Sequence, residues 1–209
     1  MVRALLTSAM FLPVFAVGCS GGAPDGNAPD GGRATPAETF EVMKKAAENK
    51  DWTTLHSCMT PESQEAMLGN LAVMGYSFVV GDKGKEFSAI LIERGVDMES
   101  FQRDYPDWNE RQQAFKKAIA SVKNKPACIG ALFSWLQQHS NDGKKGASMT
   151  FRTGEVLSGK TLADLTIEGD LASGKITGDD GAPLVLHFKR INDRWYNDMI
   201  EDVKAHSRG

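Results

Sequence analysis

LVLHFKRINDRWYNDMI, residues 184–200, decides the fold of this chain. Leu184, Leu186 and Phe188 alternate with Val185, His187 and Lys189, the period of two that a half-buried strand needs. Asn192-Asp193 then supplies a two-residue turn, because these residues tolerate the left-handed backbone of a tight hairpin. The chain returns through Trp195, Tyr196 and Met199. With a two-residue turn, Ile191 pairs with Arg194, and counting back places His187 opposite Asp198 and Lys189 opposite Tyr196.

Working back from the hairpin, turn residues recur at Gly169-Asp170, Ser173-Gly174 and Gly178-Asp179-Asp180-Gly181. Before them Ala163, Leu165 and Ile167 alternate with Leu162, Asp164, Thr166 and Glu168, a second expected strand. Met149 and Phe151 alternate briefly with Thr150 and Arg152. About four antiparallel strands are therefore expected after residue 147.

Between Thr35 and His139 the apolar residues recur with the helical period. Thr35-Pro36-Ala37-Glu38 is a capping box with proline in the first turn, so a helix is predicted there, burying Phe40, Met43 and Ala47. Asp51 caps a short turn carrying Trp52 and Leu55. Thr60-Pro61-Glu62 opens a third helix with Met67, Leu71, Met74 and Phe78 as its stripe, interrupted by Gly81 and Gly84. Glu86 to Arg94, closed by Gly95, turns Phe87, Ile90 and Leu91 inward. Asn109–Lys123 and Pro126–His139 complete the set, the last with Ile129, Leu132, Phe133 and Leu136. Helices followed by a meander predict an α+β fold, with N-terminal helices packed on one face of a curved C-terminal antiparallel sheet of about four strands.

The N-terminal segment reads as an address. Arg3 leads an uncharged run from Ala4 to Val17, ending in Ala16-Val17-Gly18-Cys19. This is the layout of a secretory signal, and the 14-residue run is shorter than the about 20 apolar residues that span a bilayer. Cys19 makes it resemble a bacterial lipobox, which implies acylation of that thiol and cleavage before it. An ordinary cleaved signal with a chance cysteine is the alternative. Ser20 in place of aspartate favours the periplasmic face of the outer membrane, in a cell that has one, by resemblance to proteobacterial sorting.

Residues 20–36 hold five Gly and three Pro among 17 residues and no large apolar side chain, so they are expected to act as a linker. The expected organisation is a signal peptide over 1–18, lipidated Cys19 and linker over 19–36, and one α+β domain over 37–209. Loss of residues 1–18 removes Arg3 and no acid, taking the formal charge from −3 to −4. That balance argues against a nucleic-acid partner.

TPAETFEVMKKAAENKDWTTLHSCMTPESQ (residues 35–64) and the closing hairpin resemble uncharacterised bacterial lipoproteins near the nuclear-transport-factor-2-like and cystatin-like folds. The resemblance implies helices laid on a curved sheet around a cone-shaped pocket, and the superfamily includes ketosteroid isomerases.

Candidate chemistry is sparse. His187 facing Asp198 is a plausible base oriented by a carboxylate, against an ordinary cross-strand charge pair on a solvated face. Arg190 opposite Trp195 suits cation–π packing. In an oxidising compartment Cys58 and Cys128 are candidates for a disulfide, which would close a loop of roughly 70 residues and stabilise by about 4 kcal/mol; two small buried core residues are the alternative. Zinc held by His56, Cys58, Cys128 and His139 fails on spacing, since Cys128 and His139 lie roughly 16 Å apart on one helix. There is no CxxC, Gly-rich phosphate loop, GxSxG or HExxH, and no cofactor is implied. The favoured expectation is a lipid-anchored envelope protein with a non-catalytic binding or accessory domain for an unknown envelope protein or small ligand. The alternative is an isomerase or hydrolase working from the sheet through His187 and Asp198.

Overall fold

The computed structural model describes residues 31–78, 82–103, 107–139, 157–178 and 181–206. The expected signal peptide, Cys19 and the strand at Met149 and Phe151 lie outside them. Among the described residues seven helices precede a four-stranded antiparallel sheet, so the fold is α+β: α1 Pro36–Glu48, α2 Trp52–Ser57, α3 Pro61–Phe78, α4 Asp82–Glu93, α5 Glu99–Gln102, α6 Trp108–Ala120 and α7 Lys125–His139. The strands β1 Ala163–Glu168, β2 Leu171–Thr177, β3 Pro183–Ile191 and β4 Arg194–Asn197 follow in simple meander order. A helix not foreseen from the sequence, α8 Met199–His206, follows β4.

The N-terminal helices begin where the side chains dictate. The Thr35 hydroxyl accepts from the Glu38 amide while the Glu38 carboxylate accepts from the Thr35 amide, satisfying two orphan donors of α1. Asp51 caps α2 by accepting from the Thr54 amide at 3.0 Å. Phe40, Met43 and Ala47 are buried as expected, as are Trp52 and Leu55. On α3 Ser63, Leu68, Leu71 and Ala72 are buried and Met67 is partly covered against the core, so Leu71 lies inward as expected, while the side chains of Met74 and Phe78 lie outside the described residues. Gly84 does not interrupt a helix: α4 begins at Asp82 and runs through it. Phe87 and Leu91 bury inward, and Gly95 closes the helix at φ 86°.

In the hairpin, Asn192 and Asp193 both adopt positive φ, 49° and 61°, the backbone of a type I′ turn. Ile191 pairs with Arg194, Arg190 with Trp195 and Lys189 with Tyr196, the register expected from the turn. The Arg190 guanidinium lies 5.7 Å from the Trp195 ring centroid. Ala172, Ile176, Leu186, Phe188 and Trp195 face the helices and join their core.

Two features of the sheet depart from expectation. Ser173-Gly174 is not a turn; β2 runs straight through it, with Gly174 paired to Leu186. Gly174 serves close packing instead, since a Cβ there would sit 2.6 Å from Leu162 Cδ1. β1 has no buried face: Leu165 and Ile167 remain exposed. It is the terminal strand, and its register shifts between Ala163 and Thr166 around Asp164, whose φ is 51°. Such a bulge twists a sheet edge and blunts further pairing.

The opposite edge is closed by the segment expected to be linker. Arg33 exchanges backbone hydrogen bonds with Trp195, donating at 3.2 Å and accepting at 2.8 Å. Just beyond it, the Asn197 amide donates to the Cys58 carbonyl and the Thr60 amide to the Asn197 carbonyl. Gly31 and Gly32 are buried against Ser57 and the Tyr196 ring, where a Cβ at either position would collide. The glycines read as linker composition are there because a backbone must pass at contact distance. Residues 31–36, expected to be linker, are therefore packed as part of the folded unit.

Candidate functional site

His187 lies on β3, on the sheet face opposite Leu186 and Phe188, where the alternation of the strand puts it. Its backbone reaches Asp198 as the register requires, with the Asp198 amide donating to the His187 carbonyl at 2.8 Å. The side chains do not meet in the way expected. The carboxylate on His187 belongs to Asp202, one turn into α8, at 2.9 Å from Nδ1. The same Asp202 Oδ1 accepts from the His187 amide at 2.6 Å, and Oδ2 accepts from the Asn197 side chain at 3.0 Å. Asn197 in turn donates to the His187 carbonyl. Asp198 looks the other way and accepts from the Ser63 hydroxyl at 3.4 Å, at the start of α3.

The arrangement follows from where β4 stops. Past Asn197 the edge of β3 has lost its partner strand, leaving the His187 amide without a ladder acceptor. Asp202 supplies one, and the helix that carries it is held against β3 and α3. Burial pushes the Asp202 carboxyl up from its ordinary pKa, while donation from Asn197 and His187 pulls it back. A carboxylate can only accept, so His187 donates to it from Nδ1. The His187 side chain is 29% exposed. This is the geometry of an oriented general base, and equally of a latch that fastens α8.

The sulfur and histidine residues weighed for a metal sit apart in role. Cys58 and Cys128 are both buried and are not joined to each other, so the disulfide considered from the sequence is not formed in this structure. Cys58 donates to the Gly31 carbonyl at 3.4 Å. Burial pushes the Cys128 thiol up to about 11 against the pull of nearby Arg94. His139 is spent between α7 and α4: Nδ1 donates to the Trp135 carbonyl at 2.8 Å, its ring stacks on Trp135, and Nε2 lies 3.7 Å from Glu86. Among the described residues no three His, Cys, Asp or Glu side chains converge to hold a metal ion.

His56 is the residue that sequence reasoning undervalued. It is fully buried between α2 and α7, its ring 4.7 Å from that of Phe133. Nδ1 donates to the Trp52 carbonyl at 2.6 Å, which leaves Nε2 as a buried lone pair with no donor. Burial lowers its pKa from 6.5 to about 4, against the opposing pull of the Trp52 carbonyl. The sequence hint was its place close to the apolar residues Trp52, Leu55, Cys58 and Met59.

A cleft of about 440 Å³ opens where α1 hands over to α2, bounded by the end of α4 and by α7. Lys50, Asp51 and Trp52 form one wall, Arg94 another, and Gly130 and Ser134 of α7 the floor. The floor is tight because α2 rests on Gly130, where a Cβ would come within 2.5 Å of the Thr53 hydroxyl. The Ser134 hydroxyl is already donated to the Gly130 carbonyl. Lys50 and Arg94 are exposed, and neither makes an ion pair or side-chain hydrogen bond among the described residues.

Comparison with protein-family models, with curated proteins and with solved structures found no match in any of the three. No helix among the described residues is long and apolar enough to cross a membrane.

Proposed function

We propose that this chain is an exported protein anchored to the membrane by lipid on Cys19, whose folded domain binds a partner or small ligand and performs no chemistry of its own. The observation that carries the reading is the spacing between anchor and fold. The signal-like run ends at Cys19, and Gly31 is packed in the described fold, with eleven residues between them in sequence. Fully extended, that stretch reaches no more than about 40 Å, so an acylated Cys19 would keep the domain close to the bilayer. The domain's polar groups near the hairpin are engaged in internal bonds that hold α8 and β4, which suits a rigid binding scaffold.

Two or three acyl chains hold a protein stably, whereas one does not. Fractionation of cells expressing the chain and its Cys19→Ala variant tests the anchor. The wild type should sediment with membranes and incorporate labelled palmitate, and the variant should do neither. Equal distribution of the two would refute it.

A second reading rests on the Asp202–His187 pair, which has the orientation of a general base in isomerases and hydrolases. His187→Gln separates the two readings. A latch predicts faster amide exchange in α8, and a base predicts lost turnover with α8 still protected.

A further inference from the structure

The cleft between α1, α2, α4 and α7 carries two cations that the fold does not use. Lys50 occupies the residue after the C-cap of α1, with φ 56°. Its amide donates to the Ala47 carbonyl and the Asp51 amide to the Ala46 carbonyl, which is the Schellman closure of a helix. At the end of α4 the same closure is built with glycine: Gly95 has φ 86°, its amide donates to Ile92, and the Val96 amide donates to Leu91. Glycine takes that backbone freely, while a lysine there is strained. The position that glycine would fill best in α1 thus carries a charged side chain on the wall of a cleft.

Arg94 faces the same space from the C-cap of α4. The one carboxylate in the lining, Asp51, is turned to the Thr54 amide as the cap of α2. The three charges leave the cleft with a net positive sign in a chain whose overall formal charge is −3. A guanidinium fork and an ammonium lining one cleft are suited to phosphate oxygens. The volume exceeds what a bare ion needs, and Trp52 with the small residues of α7 offers apolar surface for an organic portion.

We propose that this cleft binds a phosphate group borne by a small organic molecule, with Lys50 and Arg94 as its ligands. The proposal rests on reading the domain as a binding module and names what it binds. The phosphate belongs either to a free phosphate ester or to the headgroup of an anionic lipid in the membrane that holds the chain.

The test uses the full chain in neutral detergent, purified from whichever cell fraction holds it, so that failure of the anchor does not decide the ligand. Inorganic phosphate is titrated at constant ionic strength, with chloride as control, and the melting temperature is followed. A saturable rise is expected for the wild type. Lys50→Gly should melt a few degrees higher without ligand, because strain is relieved, and should bind phosphate at least about tenfold more weakly. Arg94→Gln should lose affinity similarly, and Lys50→Arg should keep most of it. A parallel arm measures binding to vesicles of phosphatidylglycerol against phosphatidylcholine. Preference for phosphatidylglycerol that is lost in Lys50→Gly assigns the headgroup, while phosphate binding with no vesicle preference assigns a free ester. No saturable rise with phosphate and no vesicle preference overturns the proposal. So does binding that survives both Lys50→Gly and Arg94→Gln, and the two cations then serve only to balance the helix ends they occupy.

Discussion

His56 makes the stability of this protein depend on mild acid. Folding moves the imidazole pKa from 6.5 to about 4, chiefly by burying it. The unfolded chain therefore binds a proton that the folded chain refuses throughout that interval. The stability contributed by neutral His56 is complete above pH 6.5 and is lost as pH falls towards 4. At about 1.36 kcal/mol per unit, the loss between about pH 7.5 and pH 4.5 comes to roughly 2–3 kcal/mol. Other groups titrate over the same range, so the assay is a difference. Urea unfolding of the wild type and of His56→Phe is measured at both pH values. Asp202, with its pKa raised by burial, works in the opposite direction and cancels in the difference. Asp97, whose pKa is lowered mainly by its Ser100 partner, cancels likewise. Cys128 stays a neutral thiol throughout. The wild type should lose roughly 2–3 kcal/mol more than the variant. Should His56→Phe prove too bulky for the site, His56→Gln serves in its place. Parallel pH profiles for wild type and variant would refute the assignment of His56 as a buried neutral base.

Further outcomes follow from the packing. Gly31→Ala and Gly32→Ala should each cost roughly 1–3 kcal/mol, because the added methyl meets Ser57 or the Tyr196 ring. Gly69→Ala should stabilise by about 0.5–1 kcal/mol, since Gly69 lies inside α3 with open space at its Cβ; urea midpoints report both. Asp202→Ala removes the acceptor of the His187 amide and the Asn197 side chain, and should cost about 1–3 kcal/mol while speeding hydrogen exchange at His187. Cys58 and Cys128 should resist alkylation until the protein unfolds, and a thiol reductant should leave the melting temperature unchanged. A melting temperature that falls with reductant would restore the disulfide.

What could be read before the structure was whatever depends on neighbours in sequence. The capping box at Thr35 and Glu38, the Asp51 cap and the Asn192-Asp193 turn are local rules, and each appears where those residues stand. The hairpin register followed from counting, so the backbone link between His187 and Asp198 was foreseeable. The side-chain partner was not, because Asp202 sits on a helix that begins only after β4 ends, and nothing local announces that turn. Glycine misled in both directions for one reason: its composition signals freedom, but its lack of a Cβ also permits contact. Gly31 and Gly32 looked like linker and are buried; Ser173-Gly174 looked like a turn and lies mid-strand. The Lys50–Arg94 cleft joins the ends of two helices far apart in sequence, and only the fold brings them together.

Mass spectrometry of the N-terminal peptide of the chain, extracted from membranes of a bacterial host, tests the anchor most directly. The expected peptide begins at Cys19 and carries the added mass of a diacylglycerol, with residues 1–18 gone. A peptide that retains residues 1–18, or one that contains Cys19 without added mass, would contradict it.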